Sequence, residues 1–205
     1  AFQKLEADAA VAARAKVGRS IALLNAGHPN QADTLLTEAL ALDPSMVRGW
    51  SARGVLADRR GDWKSAEASY AQGLAADPKS ATLLNNRGYS RLLQGRNPEA
   101  EADFMAALAI QPGMEAAATN LRLARGLQGR YAEAFDGATR EDLARDLNTV
   151  GVAAMLRGDH RLAESYFSRA IEMNTKFDKT ATANLAYLKH VAPELTEPAR
   201  TAPSK

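Results

Sequence analysis

Glycines at 27, 61, 95 and 129 lie 34 residues apart, and alanines at 32, 66, 100 and 134 keep the same interval. Prolines at 44, 78 and 112 run in phase with both. A fixed period of this length does not come from one globular core. It means that a single supersecondary unit is repeated, each copy burying its apolar face on its neighbour. The chain of 205 residues therefore needs no division into separate compact domains.

Residues 47–80 show the unit most clearly. Trp50, Gly54 and Leu56 lie on a first helix that stops near Arg60–Gly61, where glycine accepts the left-handed conformation of a helix end. Asp62 is placed to cap a second helix that runs to Ala76 and carries Ala66, Tyr70 and Leu74 as one apolar stripe. Pro78 stops it. Gly54, Gly88, Ala66 and Ala100 leave room for two helices to approach closely, and Trp50, Tyr70, Leu84 and Phe104 fill what remains. The fold class that follows is all-α, a right-handed α-solenoid of about five helix-turn-helix units plus a closing helix. The units span about 13–46, 47–80, 81–114, a shortened 115–140, and 141–177, with the closing helix at 178–191, so that 1–192 form the solenoid.

The period breaks once. Gly158 and Ala163 follow Gly129 and Ala134 by 29 residues, so about five are missing, within 131–147. The spacing predicts a short helix at 131–136, a break at Gly137, and a helix capped by Thr139 with Asp142 as its capping-box partner. A changed local shape required by a partner and simple drift in a tolerant repeat are both open. Beyond Ala192 the prolines and scarcity of apolar residues predict a disordered tail over 193–205.

Chemistry-bearing patterns are scarce. Cysteine is absent, which removes disulfides, thiolate catalysis and thiolate metal sites. His28 and His160 fall in corresponding turns of different units. Glu99, Glu101 and Asp103 read as solvated carboxylates on outward-facing second helices, and Arg59–Arg60 as a solvated helix end. No zinc-protease, phosphate-loop or nucleophile-elbow motif occurs. No catalytic residue, metal or cofactor is therefore expected. Twenty-six basic against 24 acidic residues give a net charge of only +2, which does not mark a nucleic-acid binder, and no run of 18 apolar residues marks a membrane span.

The offsets of Trp50, Gly54, Ala66, Tyr70, Leu74 and Pro78, repeated by Gly88, Ala100, Phe104, Ala107, Leu108 and Pro112, resemble the tetratricopeptide repeat over about residues 13–190. The resemblance implies a non-enzymatic scaffold that holds a partner's peptide or helix in its concave groove. In such arrays positions 2, 5, 6 and 9 of each first helix line the groove. Here these are Arg48, Ser51, Ala52 and Val55; Thr82, Asn85, Asn86 and Tyr89; Ala116, Thr119, Asn120 and Leu123; and Arg145, Asn148, Thr149 and Val152, followed by Lys179 and Thr182. Asparagine is a poor helix former, and its amide can pair with a peptide backbone of any sequence. Asn86 and Asn120 occupy equivalent positions one unit apart. They form a ladder for a bound peptide, or else they bond the neighbouring helix. Arg48, Arg145 and Lys179 favour an acidic group. The family's carboxylate clamp is absent, because Asn86 matches but Ser51, Val55, Ala116 and Asn120 do not.

The stretch 80–113, then NLRLARGLQGRYAEA, a shortened unit and TATANLAYL, is similar to the tight-adherence (Flp) pilus-assembly repeat family of bacteria. That likeness implies secretin or other pilus-assembly components as partners. It also implies a lipoprotein on the periplasmic side of the envelope, although the lipid-attachment cysteine is not in this chain and a cytoplasmic location is the alternative. The chain opens at Ala1 rather than Met, as expected of a removed targeting segment or a trimmed chain. A self-associating structural adaptor is the competing function. An exposed apolar patch on a terminal helix would favour it.

Overall fold

A computed structural model describes residues 2–173 and 179–195. Among these, eleven α-helices and no strand occur: α1 (Phe2–Asn25), α2 (Pro29–Leu42), α3 (Val47–Arg59), α4 (Trp63–Ala76), α5 (Ala81–Leu93), α6 (Asn97–Ile110), α7 (Glu115–Leu127), α8 (Tyr131–Ala134), α9 (Leu143–Arg157), α10 (His160–Met173) and α11 (Lys179–Val191). The chain divides within α7 into two compact units, 1–117 and 118–205. No described helix is long and apolar enough to cross a membrane.

In unit 1, the pairs α1–α2, α3–α4 and α5–α6 are helical hairpins. Gly61 makes the tight turn of the second hairpin at φ 70°, which side-chain-bearing residues rarely adopt, and the ladder glycines repeat it. Asp62 then caps α4 by accepting from the Ser65 amide at 3.1 Å, and Ser80 caps α5 through the Leu83 amide. Between hairpins, the Trp50 indole donates to the Pro44 carbonyl at 2.7 Å, tying the proline turn to the next first helix.

The first-helix glycines have a sharper reason than helix approach in general. A Cβ on Gly54 would lie 2.4 Å from the ring of Tyr70, and one on Gly88 would lie 2.7 Å from Phe104. In unit 2, Gly151 stands in the same relation to Phe167, at 2.6 Å. Each glycine seats an aromatic ring from the second helix of its own hairpin, and all three rings are fully buried. The first hairpin lacks both members of the pair. Ser20 replaces the glycine and the smaller Leu36 replaces the ring, both fully buried, with the Ser20 hydroxyl donating to the Val17 carbonyl.

The expectation of solvated carboxylates on the second helices is corrected for two residues. Asp103 and Glu101 are buried rather than solvated. Asp103 accepts from Arg87 at 2.6 Å and Arg91 at 2.8 Å, while Arg91 also holds Glu67 at 2.5 Å, so one ionic cluster ties α4, α5 and α6. The helix end Arg59–Arg60 is exposed, as expected, and is also tied to the first hairpin: Arg59 donates to the Leu24 carbonyl at 2.6 Å and Arg60 to Asp33 at 2.6 Å.

Unit 2 shows what the shortened repeat costs. Its second helix, α8, is one turn long and ends at Ala134, short of the expected 136. Gly137 turns the chain at φ 69°, but the expected cap at Thr139 does not form: the Asp142 amide donates to the Thr139 hydroxyl at 3.1 Å, that hydroxyl donates to the Asp142 carboxylate rather than the Thr139 amide doing so, and α9 begins only at Leu143. Position 122, a glycine in the two preceding units, is here Arg122, and position 138, aromatic in both, is Ala138. With no ring to seat, Arg122 is itself buried and pairs with buried Asp146 of α9 at 3.0 Å. Tyr131, Phe135 and Tyr166 pack as a tilted aromatic cluster beside this junction. Pro193–Leu195 form a turn of 3-10 helix, with Leu195 packed against the Phe167–Leu188 cluster. The tail disorder expected from residue 193 therefore does not hold for these three residues, and 196–205 lie outside the described ones, as does 178 of the closing helix.

The ring seat makes a quantitative prediction. Gly54→Ser is expected to cost about 1–3 kcal/mol through overpacking against Tyr70. Combining it with Tyr70→Leu recreates the Ser20–Leu36 pair, so the double variant should lose at least about 0.5 kcal/mol less than the two single losses added together. Urea unfolding of all four members of the cycle reads this coupling. Simple additivity would remove the seat as the reason for Gly54.

Candidate functional site

Two adjoining hollows lie on the face of unit 1 built by the first helices of its three hairpins. One, of about 250 Å³, sits between α1, α3 and α5 and is bordered by Ile21, Leu24, Asn25, Arg48, Ser51, Ala52, Val55, Arg59 and Thr82. The other, of about 290 Å³, sits between α3 and α5 over α4 and is bordered by Val55, Asp58, Arg59, Tyr70, Asn86, Tyr89 and Leu93. Val55 and Arg59 belong to both, so the hollows form one groove. Aliphatic and aromatic side chains supply most of its floor. Tyr89 and Leu93, one helical turn apart on α5, remain 45% and 49% exposed, which is high for side chains of this size.

The floor carries one carboxylate, Asp58. It accepts from the Tyr70 hydroxyl at 2.7 Å and from the Ser90 hydroxyl at 2.6 Å, so α3, α4 and α5 meet on a single acceptor. Burial raises its pKa above the ordinary carboxylate value against the opposing effect of the Ser90 and Tyr70 hydrogen bonds, and nearby Glu67 adds to the rise. Burial and the Asp58 charge likewise push the Tyr70 phenol upward.

The residues singled out by periodicity fall into three groups. Arg48, Ser51, Thr82, Asn86 and Tyr89 border the unit 1 groove. Asn85 does not; it is turned inward and is 8% exposed, because it sits on the side of α5 that packs on neighbouring helices. Thr119, Asn120, Arg145, Asn148 and Lys179 belong to unit 2. Thr119 and Asn120 are half-buried on α7, and Lys179 is exposed at the start of α11. Arg145 and Asn148 border a separate hollow of about 340 Å³ with Arg140, Met173 and Thr180, and Arg145 is paired with Asp142 at 2.8 Å. Arg59, Leu93, Ile21, Leu24 and Asn25 were not anticipated as groove residues. Arg59 and Leu93 lie four residues beyond Val55 and Tyr89, so carrying the same helical stripe one further turn would have reached them.

The asparagines bond neighbouring helices. Asn86 donates to the Ser51 hydroxyl of the preceding hairpin at 3.0 Å and accepts from Asn85 at 3.3 Å. In unit 2 the amide of Asn184 donates to Asn148 at 2.9 Å, repeating the arrangement across 36 residues. These rungs satisfy half-buried polar groups between successive first helices. Among the described residues, no group of three or more His, Asp or Glu side chains is placed to hold a metal ion.

Residues 17–72 and 52–115 match the family described as Tetratricopeptide repeat. Solved structures share the fold. The chain aligns with PilF of Pseudomonas aeruginosa at TM-score 0.67 and 20% identity, covering 92% of this chain and 93% of that one. It aligns with PilW, whose structure is described as that of a widely conserved type IV pilus biogenesis factor, at TM-score 0.66 and 19% identity, covering 91% and 95%. The second repeat domain of human RPAP3, in complex with an HSP70 peptide, aligns at TM-score 0.52 and 22% identity, covering 58% and 98%. At these identities the likeness is one of fold. No curated protein matches the chain in sequence.

Asp58 carries a pH prediction. Its proton is bound more tightly in the folded chain than at the unfolded value of about 3.9, so the stability linked to it is complete below that value and is lost as pH rises through the raised one. In Asp58→Asn, the amide can accept from one hydroxyl and donate to the other, and this dependence disappears. Wild-type stability minus that of Asp58→Asn should therefore fall between pH 4 and pH 7 in urea titrations. A difference independent of pH would contradict the raised value.

Proposed function

We propose, on the premise that residues 17–115 are tetratricopeptide repeats, that the chain is a protein-binding scaffold whose unit 1 groove receives a segment of a partner protein. The observation that carries this reading is the groove itself. Three first helices present an apolar floor with Tyr89 and Leu93 uncovered, and every acidic group on that floor is already engaged within the fold. Such a patch is what a protein-interaction site requires. The finer reading is an assembly factor of a bacterial pilus or secretion machine, working on the periplasmic side of the envelope with secretin or other pilus-assembly components. Its support is the sequence likeness to the tight-adherence pilus-assembly repeats and the near full-length fold likeness to PilF and PilW.

A second reading, self-association, draws on one feature of unit 2. Ala183, Tyr187 and Val191 form an exposed apolar stripe along α11, with Tyr187 58% and Val191 44% exposed. Light scattering at two concentrations tests it, since a concentration-independent monomer mass removes it.

The scaffold reading is tested by affinity capture from membrane and aqueous fractions, with Tyr89→Ala/Leu93→Ala beside the wild type. Both side chains are exposed and neither replacement leaves a buried polar group, so the variant should fold normally by circular dichroism. Pilus-assembly components retained by the wild type and reduced at least tenfold on the variant are the expected result. Equal capture on both baits would move the binding surface out of the groove, and cytosolic partners alone would remove the pilus assignment.

A further inference from the structure

The two hollows of unit 1 occupy successive furrows between first helices, α1–α3 and α3–α5, and packed helix axes lie about 8–10 Å apart. An occupant that uses both must present two apolar side chains on one side at about that interval. A polyproline-type extended chain, with three residues per turn and about 3.1 Å rise per residue, does so at positions i and i+3, about 9 Å apart. A β-strand repeats its same-side positions at about 7 and 13 Å and misses the interval. An α-helix reaches about 10.5 Å at i+7, but its backbone groups are already bonded to one another.

The groove wall offers what an extended backbone lacks. Of the two amide hydrogens and two carbonyl lone pairs of Asn86, one hydrogen goes to Ser51 and one lone pair to Asn85, so one donor and one acceptor position remain for a chain lying beside it. The charge pattern narrows the occupant further. Arg48 and Arg59 stand exposed on this face, and Arg59 borders both hollows. The one carboxylate on the floor, Asp58, is committed to Tyr70 and Ser90. One Arg59 nitrogen donates to the Leu24 carbonyl, and a basic group that borders both apolar stations selects a carboxylate carried between two apolar side chains.

We infer that the unit 1 groove takes an extended segment of another protein carrying two apolar side chains three residues apart with a glutamate or aspartate between them, the carboxylate meeting Arg59. This rests on the scaffold reading above and gives its occupant a chemistry.

The test is fluorescence polarisation on the full chain, with a capped, labelled, proline-rich peptide containing a Leu-Pro-Glu-Leu core. Replacing the peptide's glutamate with glutamine, or moving its second leucine by one position, should weaken binding at least fivefold. Arg59→Gln should weaken the glutamate peptide equally and leave the glutamine peptide within twofold. The comparison between peptides uses the wild-type protein, so it decides the matter even if Arg59→Gln, which also loses the bond to Leu24, unfolds. Equal affinity for the two peptides, tighter binding of a helical alanine-rich peptide with leucines seven apart, or no binding of any of them would overturn the inference. If partner capture still depends on Tyr89 and Leu93 in that case, the scaffold reading stands without it. If capture is insensitive as well, both fall.

Discussion

An aromatic ring pressed against a glycine Cα is the contact on which three of the hairpins depend. Tyr70 on Gly54, Phe104 on Gly88 and Phe167 on Gly151 approach to distances that any side chain on the first helix would forbid. The ring brings a large buried surface, and the missing Cβ lets the two helices close over it without a void. Once a hairpin is closed in this way, its turn glycine, its cap and its terminal proline set where the next one starts. In unit 1 the rings fix α3 and α5 against their own second helices, and the groove lies on the first helices beside them, with Tyr70 at its border.

Polar bonds within the groove serve the fold before they serve a ligand. Asp58 gathers hydroxyls from two other helices, Asn86 reaches back to Ser51, and Arg59 reaches the Leu24 carbonyl at the end of α1. A helix-to-helix interface made only of alanine and leucine would allow sliding. Directional bonds between successive first helices fix how far one advances past the next, and therefore the spacing of the hollows between them.

Most of the fold was legible because the repeat writes its own punctuation. Glycine and proline return every 34 residues, so the helix limits around Gly61 and Pro78 follow from backbone conformation alone. The pairing of Gly54 with Tyr70 was harder, since it depends on which of several small residues faces the ring. The trade of Ser20 with Leu36 in the first hairpin holds that information, and so does the loss of glycine at position 122 together with the ring at 138. Periodicity located the inward face of the first helices but not its width. Asn85 and Asn86 are neighbours in sequence and 100° apart on the helix, and only the second reaches the groove. The buried state of Asp103 was hidden because its partners, Arg87 and Arg91, belong to the other helix of its hairpin and no local pattern announces them.

The replacement of a glycine–ring contact by the Arg122–Asp146 pair changes what can be cut and rejoined. A hairpin that carries both its glycine and its ring seats that ring within itself, so a gene could gain or lose a 34-residue cassette such as 47–80 and keep every remaining ring seated. Arg122 is held by a residue that lies beyond the shortened helix, at the start of the following hairpin. Recombination between them would leave a guanidinium or a carboxylate buried without its opposite charge. The stretch from α7 to α9 therefore keeps its buried pair matched only as one piece, whereas the ring seats before it can be copied hairpin by hairpin.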